Sequence, residues 1–177
     1  VNNEVTGNGT IAAPCAGIGG QFYNTTITGN TVSGYSLGAG IAFNNPSSFR
    51  ANSHDVTVTF NNVYGNLAGI YINQPLAGNN ISVNYNNIAG NVTYGAAYDA
   101  GGSGTLNAEY NWWGNASGPG GVGPGTGDVV TTTDIDYTPW IAAFTLYSPY
   151  NTITGVPIQP ELRWVGGTGT FTLKIAT

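Results

Sequence analysis

Carboxylates are the side chains of this chain with the most obvious catalytic chemistry, and two of them are close in the sequence. Asp134 and Asp136 are two residues apart in a predicted strand, so their side chains would share one face at about 6.6 Å. Two carboxylates about 5 to 9.5 Å apart can act as acid and base on a glycosidic bond. Together with Asp128, the pair could instead offer hard oxygen ligands to calcium. The competing interpretation of all three residues is structural.

The other reactive groups form no recognisable constellation. His54 and Asp55 are adjacent, and neighbouring side chains of a strand point to opposite faces, so we predict a surface histidine rather than a catalytic dyad. Cys15 is the single cysteine, with no histidine nearby in the sequence to activate its thiol. The glycine-rich residues 118–127 lack the Lys-Ser/Thr ending of a phosphate-binding loop. We therefore predict no enzyme, no cofactor and no resident metal.

Five N-x-S/T sequons could carry glycans in a secreted protein. Three of them, at Asn8, Asn91 and Asn115, share a Gly-Asn turn position in a repeat that is described below. If that position faces outward, glycans would line one edge of the protein. If it faces inward, the amides would cap the turn instead. The glycosylation candidates are Asn8, Asn24, Asn80, Asn91 and Asn115.

Aromatic residues make up 12% of the chain, enough to supply stacking surfaces for sugar rings. Tyr94, Tyr98 and Trp113 are the candidates for carbohydrate contact. Most of the other aromatic side chains are better explained as the core or the end caps of a narrow fold. Carbohydrate binding is therefore an alternative function rather than the leading one.

The chain that positions these residues repeats itself every 25 residues. Val56, Ile81 and Leu106 mark the same point in three successive segments. A fixed period of this size is typical of a solenoid, in which each repeat buries its apolar face only against its neighbours. The three segments read VTVTFNNVYGN, ISVNYNNIAGN and LNAEYNWWGN.

Within each segment apolar residues alternate with Thr, Ser or Asn, which is the pattern of a strand with one buried face. Each repeat is thus a strand followed by a turn. The alternation predicts an inward aromatic stack of Phe60, Tyr85 and Tyr110. The matching outward row consists of Thr59, Asn84 and Glu109.

An asparagine follows each aromatic residue of the predicted stack. Amide side chains stacked at the strand spacing can hydrogen-bond along the axis, so a buried row of them would satisfy its own polar groups. Asn and Gly also tolerate the sharp bend that must end each strand. We therefore predict a structural ladder of Asn61, Asn86 and Asn111.

Weaker copies extend the array toward the N-terminus, with insertions that disturb the even spacing. Residues 40–43 and 69–72 read as a second strand of the coil, and residues 44–54 as a loop between coils. One stacked position is expected to hold Val5, Val32, Val63, Ile88 and Trp112.

The coil pattern V-x-V-x-F-N-N-V-x-G-N-x-x-G-I resembles the repeats of right-handed parallel β-helix proteins, and we assign residues 1–143 to such a domain. The segment YNWWGNASGP, followed by GDVV and DYTPWI, resembles the closing coil of bacterial and archaeal surface β-helices. This resemblance implies a structural role for Asp128, Asp134 and Asp136. The family includes polysaccharide lyases, glycoside hydrolases, adhesins, phage spikes and surface-layer proteins, so the fold alone does not choose a function.

Residues 144–177 resemble the opening strands of a fibronectin type III or similar sandwich module. Residues 160–164 would form its second strand and residues 171–175 its third. Such a module needs about seven strands and about 100 residues. We therefore expect the chain to be a window of a larger protein. The alternative is that a neighbouring subunit supplies the missing strands.

The composition indicates a polar surface with few charges, which suits an extracellular protein. Charged residues are 6% of the chain, against about 25% in an average protein. Three basic residues and a net charge of −5 do not suit nucleic acid. No run of about 18 apolar residues is present, so we predict no membrane span.

Two functions remain open from the sequence. We predict an all-β chain, a right-handed parallel β-helix with a short, incomplete C-terminal sandwich-like segment. Such a β-helix has two open ends, and the sequence shows no obvious amphipathic cap. Head-to-tail contacts between such ends generate filaments when rotation does not close a ring. The leading prediction is thus an extracellular structural subunit of a surface filament or layer, a homopolymer joined through β edges. The alternative is a carbohydrate-binding or polysaccharide-cleaving β-helix fragment.

Overall fold

The computed structural model describes residues 2–7, 15–44, 52–99 and 103–142, and the backbone of two further strands. Strands and turns make up these residues, and none of them is helical. Three parallel sheets contain all the strands up to residue 136. The predicted all-β class is therefore confirmed, and the parallel sheets are compatible with a solenoid.

The first sheet has four short strands. Their neighbours in space are one repeat apart in sequence, in the order β1-β4-β7-β10. These strands are β1 (Glu4–Thr6), β4 (Thr31–Ser33), β7 (Asn62–Tyr64) and β10 (Asn87–Ile88).

The second sheet has six strands, in the order β13-β14-β11-β8-β5-β2. They are β2 (Ala16–Gly20), β5 (Ala39–Asn44), β8 (Ala68–Asn73), β11 (Tyr94–Tyr98), β13 (Pro119–Gly121) and β14 (Gly127–Val130).

The third sheet has five strands, in the order β15-β12-β9-β6-β3. They are β3 (Tyr23–Thr28), β6 (His54–Thr59), β9 (Ile81–Asn84), β12 (Leu106–Asn107) and β15 (Ile135–Asp136).

The chain visits the first, second and third sheets in turn and then repeats the circuit. We call one such circuit a coil. Val56 pairs with Ile81 and Ser82 pairs with Asn107, so the 25-residue spacing is the register between coils. The repeat in the sequence is therefore a repeat in space.

The core lies between the three sheets and is built from one or two residues of each strand. In the first sheet, Val32, Val63 and Ile88 are fully buried. Burial of each such side chain contributes about 1.5 to 3 kcal/mol to folding. The third sheet adds Val56, Val58, Ile81, Val83, Leu106 and Ala108.

The predicted inward stack of Phe60, Tyr85 and Tyr110 is wrong in its direction. The three rings do stack, but they lie on the outside, where Phe60 and Tyr85 are half-buried and Tyr110 is 39% exposed. All three residues have left-handed backbone, with φ of 57°, 58° and 57°. A left-handed residue ends the strand alternation, so the asparagine that follows it turns inward instead.

The expected stacked position in the first sheet also needs a correction at its C-terminal end. Val5, Val32, Val63 and Ile88 are in register, but Trp112 pairs with Asn87 rather than with Ile88. Trp113 takes the core position instead and is fully buried. The 25-residue spacing is thus kept from Ile88 to Trp113, and Trp112 packs with Ile141 in a small separate cluster.

The C-terminal prediction is only partly covered by the described residues. Strands β16 (Thr145–Ser148) and β17 (Arg163–Val165) pair antiparallel. The predicted strand at residues 171–175 and most of residues 144–177 lie outside the described residues, as does most of the predicted loop at 44–54.

Candidate functional site

A column of asparagine side chains runs through the interior, parallel to the stacking direction of the coils. Asn61, Asn86 and Asn111 are buried. The backbone N–H and the Nδ2 of Asn61 both donate to Asn86 Oδ1, at 2.9 and 3.0 Å. Asn86 donates in the same way to Asn111 Oδ1, at 2.8 and 3.1 Å. The predicted row is thus a continuous hydrogen-bonded ladder.

The ladder is longer than the sequence indicated. Asn30 is buried and donates through its backbone N–H and Nδ2 to Asn61 Oδ1, both at 2.9 Å. Asn3 donates through the same two groups to Asn30 Oδ1, at 3.1 and 3.0 Å. The weaker N-terminal repeats carry these two residues, in GNTVSG and NNEVTG. We call the column Asn3, Asn30, Asn61, Asn86 and Asn111 the inner ladder.

The inner ladder has a direction, because each member before Asn111 donates to the amide oxygen of the next member toward the C-terminal side. Asn3 is the first member and is exposed. Its Oδ1 accepts no hydrogen bond from the described residues, whereas the Oδ1 of each following member accepts two. The same pair of hydrogen bonds therefore joins each coil to the next along the inner ladder.

The C-terminal end of the ladder is closed. Tyr110 N–H donates to Pro139 O and Ile141 N–H donates to Asn111 O, so Trp140 follows Asn111 in the column. Tyr137 and Trp140 are half-buried and pack against the main core. The expectation that neither end is capped is thus wrong for this end, because aromatic side chains cover it.

A second, shorter ladder ends in a carboxylate. The Nδ2 of Asn66 donates to Asn91 Oδ1, at 3.2 Å. The backbone N–H and the Nδ2 of Asn91 donate to Asp128 Oδ2, at 2.8 and 2.9 Å, and Gly90 N–H donates to Oδ1 at 2.9 Å. The carboxylate of Asp128 therefore occupies the anion-binding position that these N–H groups form.

An open depression of about 500 Å³ lies beside Asp128. Its lining combines carboxylate, amide, hydroxyl and backbone groups, and it contains no aromatic ring. It is lined by residues 89–93, Gly114 and residues 126–129.

The acidic residues near the C-terminal end of the coils each have a different hydrogen-bond partner. Asp134 Oδ2 lies 3.3 Å from Thr132 Oγ1, and Asp136 Oδ1 accepts Thr138 N–H at 3.1 Å. Both are exposed and hold local turns, whereas Asp128 is held by the second ladder. Within the parts of the chain that the structure describes, no three His, Cys, Asp or Glu side chains form a metal-binding group. In the described residues, Asp128, Asp134 and Asp136 therefore do not form the group that the calcium alternative requires.

The prediction that His54 and Asp55 face apart is wrong. His54 Nδ1 lies 2.9 Å from Asp55 Oδ2, on an exposed surface. Asp55 has a left-handed φ of 55°, which breaks the alternation that the prediction assumed. Hydrogen bonds from Asn80 Nδ2 and then from His54 hold the pKa of Asp55 below its usual value.

The sequons occupy different environments. Asn24, Asn80 and Asn115 are exposed, although Asn80 Nδ2 donates to Asp55. Asn91 is half-buried, and its Nδ2 donates to Val63 O and to Asp128 in the second ladder. A glycan on Nδ2 of Asn91 would have to displace one of these bonds. Asn8 lies outside the described residues.

The three aromatic candidates for sugar contact do not form a row. Tyr94 is 37% exposed, Tyr98 is half-buried against the core, and Trp113 is fully buried. The expectation of a surface contact by Trp113 is therefore wrong, because its ring belongs to the core.

Comparison with protein-family models, with curated proteins and with solved structures finds no match to this chain. The described residues also include no helix that is long and apolar enough to cross a bilayer. The exposed end of the inner ladder, together with the neighbouring sheet edges, is the candidate functional site.

Proposed function

We propose that the chain is a right-handed parallel β-helix that serves as an extracellular structural subunit, assembling into a surface filament or layer through its open ends. The observation that carries this proposal is the regular stacking of the coils, which are joined at each step by parallel strand pairs and by the inner ladder. A filament forms when the N-terminal edge of one copy meets the C-terminal edge of the next, because this contact is heterologous and does not close on itself.

The sheet edges support the proposal. Among the described residues, β1, β2 and β3 end the three sheets on one side. On the other side, β13 and β15 end the second and third sheets. Edge strands present unpaired N–H and C=O groups, and natural proteins usually protect them with charge or proline. Strand β3, with the sequence YNTTIT, has neither.

Half-buried apolar side chains at the same end support it further. Val5, Ile18 and Phe22 belong to the N-terminal coil, and each packs on the core from one side only. Contact with the C-terminal edge of another copy would bury the exposed part of these side chains, with a gain of about 25 cal/mol for each Å² of apolar surface removed from water. The C-terminal end contributes the half-buried rings of Tyr137 and Trp140.

The surface chemistry fits a location outside the cell. Only 6% of the residues are charged, so solubility depends on Asn, Thr and Gly and on glycans at exposed sequons such as Asn24 and Asn115. The carboxylates Asp128, Asp134 and Asp136 hold turns and a ladder end, which favours a structural role over catalysis.

Electron microscopy and sedimentation of the natively isolated protein test this function. We expect uniform fibres or sheets, and we expect Asn3→Leu to reduce assembly at least tenfold, because it removes the Asn3–Asn30 step of the inner ladder and disturbs the N-terminal edge coil. The matched control is Asn107→Leu, which changes an exposed asparagine of a central strand. Monodisperse particles for the native protein, or equal assembly by both variants, would contradict the proposal.

The depression beside Asp128 favours a second candidate function, carbohydrate binding. Its hydroxyl, amide and carboxylate groups can hydrogen-bond a sugar, although it offers no ring for stacking. Binding to a polysaccharide panel, lost on Thr126→Val and Thr93→Val, would support this candidate. The absence of binding by single particles and fibres alike would eliminate it.

A further inference from the structure

The left-handed aromatic column consists of Phe60, Tyr85 and Tyr110. A bulky residue with positive φ is a genuine outlier, and its strain is of the order of 1 to 3 kcal/mol. The two preceding coils fill the same position with Asn2 and Gly29, at φ of 56° and 70°, which are residue types that tolerate this backbone. Three coils thus carry rings where smaller residues would be less strained.

The geometry of the column fixes two phenols side by side. The rings of Tyr85 and Tyr110 have centroids 5.2 Å apart and planes 10° apart. The backbone N–H of Tyr85 donates to Tyr110 O at 3.0 Å, so the pair is held in register by the strands beneath it. Tyr110 is 39% exposed and Tyr85 is half-buried, so the Tyr110 ring is the more accessible of the two. The ortho carbons and the hydroxyl of each phenol are on the edge of its ring.

This arrangement holds the two phenols in contact, and the ortho carbons meet when the two side chains turn from face to face to edge to edge. We propose that Tyr85 and Tyr110 are an oxidative modification site at which a haem peroxidase and hydrogen peroxide join the two side chains. Each phenol loses one hydrogen atom, and hydrogen peroxide accepts both and is reduced to two molecules of water. The two phenoxyl radicals form one carbon–carbon bond between ortho carbons. Each ortho hydrogen then moves to the phenoxyl oxygen, which restores two phenols.

The product ties two successive coils together on the outside of the protein. Phe60, the third ring of the column, has no hydroxyl, so the bond is restricted to the Tyr85–Tyr110 pair. A cross-link between residues 25 apart limits the unfolded chain, as a disulfide does. The site requires neither assembly nor a second copy, so it is independent of the proposed function.

Peroxidase treatment of the dilute protein tests the proposal. Peptide mass spectrometry of the monomer should show a linked pair of peptides containing Tyr85 and Tyr110, lighter by two hydrogen atoms. The blue fluorescence of a biphenol should appear with it, and the melting temperature should rise. Tyr110→Phe should abolish all three changes. The matched control is Tyr94→Phe, because Tyr94 has nearly the same exposure, 37% against 39%, and belongs to the second sheet.

Two results would overturn the proposal. One is the absence of the Tyr85–Tyr110 linkage in the treated wild-type monomer. The other is equal biphenol fluorescence in the monomers of wild type and Tyr110→Phe, because the coupling would then involve other tyrosines. Circular dichroism of each variant before treatment checks that the fold is retained, and Tyr85→Phe provides a second variant if Tyr110→Phe fails to fold.

Discussion

Asn86 illustrates how single residues hold this protein together. It has no exposed surface, accepts two N–H groups of Asn61 and donates to Val58 O and Asn84 O. A buried amide of this kind is stable only because each of its polar atoms has a partner. The sequence predicted its ladder correctly, since Asn recurs at 25 residues. It did not predict the direction of the neighbouring rings, because a left-handed φ at an aromatic residue leaves no mark in a pattern of hydrophobicity.

Replacement of Asn86 by Leu should be strongly destabilising. The change leaves the backbone N–H of Asn61 without its acceptor and removes the hydrogen bond to Val58 O, and each buried unpaired group costs about 1 to 3 kcal/mol. We expect a loss of at least about 3 kcal/mol in the free energy of unfolding, measured by urea denaturation. Asn107→Leu is the control and should change stability by less than about 1 kcal/mol, because its side chain is exposed. Equal losses in the two variants would refute the energetic role of the inner ladder.

The charge of Asp55 should make stability depend on pH at the acid end. The pKa of Asp55 in the folded protein is lowered, chiefly by the hydrogen bond from Asn80. The ionised carboxylate therefore stabilises the fold above the usual aspartate value of about 3.9, and this contribution disappears as the pH falls through the lowered pKa.

Comparison of the wild type with Asp55→Asn isolates this effect. The wild type should lose stability relative to the variant as the pH falls from about 5 to 2, and the difference should be constant above about pH 5. Thermal unfolding at a series of pH values measures it. A difference that does not change between pH 5 and pH 2 would show that the Asp55 carboxylate has no such role.

At the scale of the elements, glycines in the second sheet leave space for side chains that project from the first sheet. A Cβ at Gly69 would lie 2.8 Å from Ile88 Cγ2 and 2.7 Å from Gly95 O. A Cβ at Gly95 would lie 3.0 Å from the Trp113 ring. This repeated fit explains why Trp113, and not Trp112, follows Ile88 in the core. The strands themselves were predictable from alternation. The place of Trp113 was predictable as well, because it follows Ile88 at the regular spacing of 25 residues, but the expected position assigned to Trp112 was one residue short of that spacing.

Gly69→Ala should therefore disturb the packing of the first sheet against the second. Overpacking of a close-fitted core costs about 1 to 3 kcal/mol, and the neighbours of Gly69 include a backbone carbonyl that cannot move freely. Gly78→Ala is the control, because a Cβ there meets nothing within 4 Å and only its φ of 74° opposes the change. We expect the control to lose about 1 to 2 kcal/mol, which is the cost of a left-handed backbone for a residue that carries a Cβ. A smaller loss for Gly69→Ala than for Gly78→Ala, in chemical denaturation, would contradict this packing.

At the scale of the whole molecule, the two ends differ. Among the described residues, the N-terminal end combines strands β1, β2 and β3 with half-buried apolar side chains. The C-terminal end offers the edges of β13 and β15 but closes the inner ladder with Trp140. The sequence predicted two open ends because it showed no amphipathic cap. The aromatic closure was hidden in a segment without regular alternation, DYTPWI, whose place in the register only the structure shows.

Hydrogen–deuterium exchange of the natively isolated protein, compared in its assembled and dispersed states, tests the central claim most directly. The account predicts that assembly slows amide exchange in the edge strands β3 and β15, while the central strands β6 and β9 exchange equally slowly in both states. Unchanged exchange at β3 and β15 on assembly, or protection confined to the outer faces of central strands, would show that the coils do not join end to end.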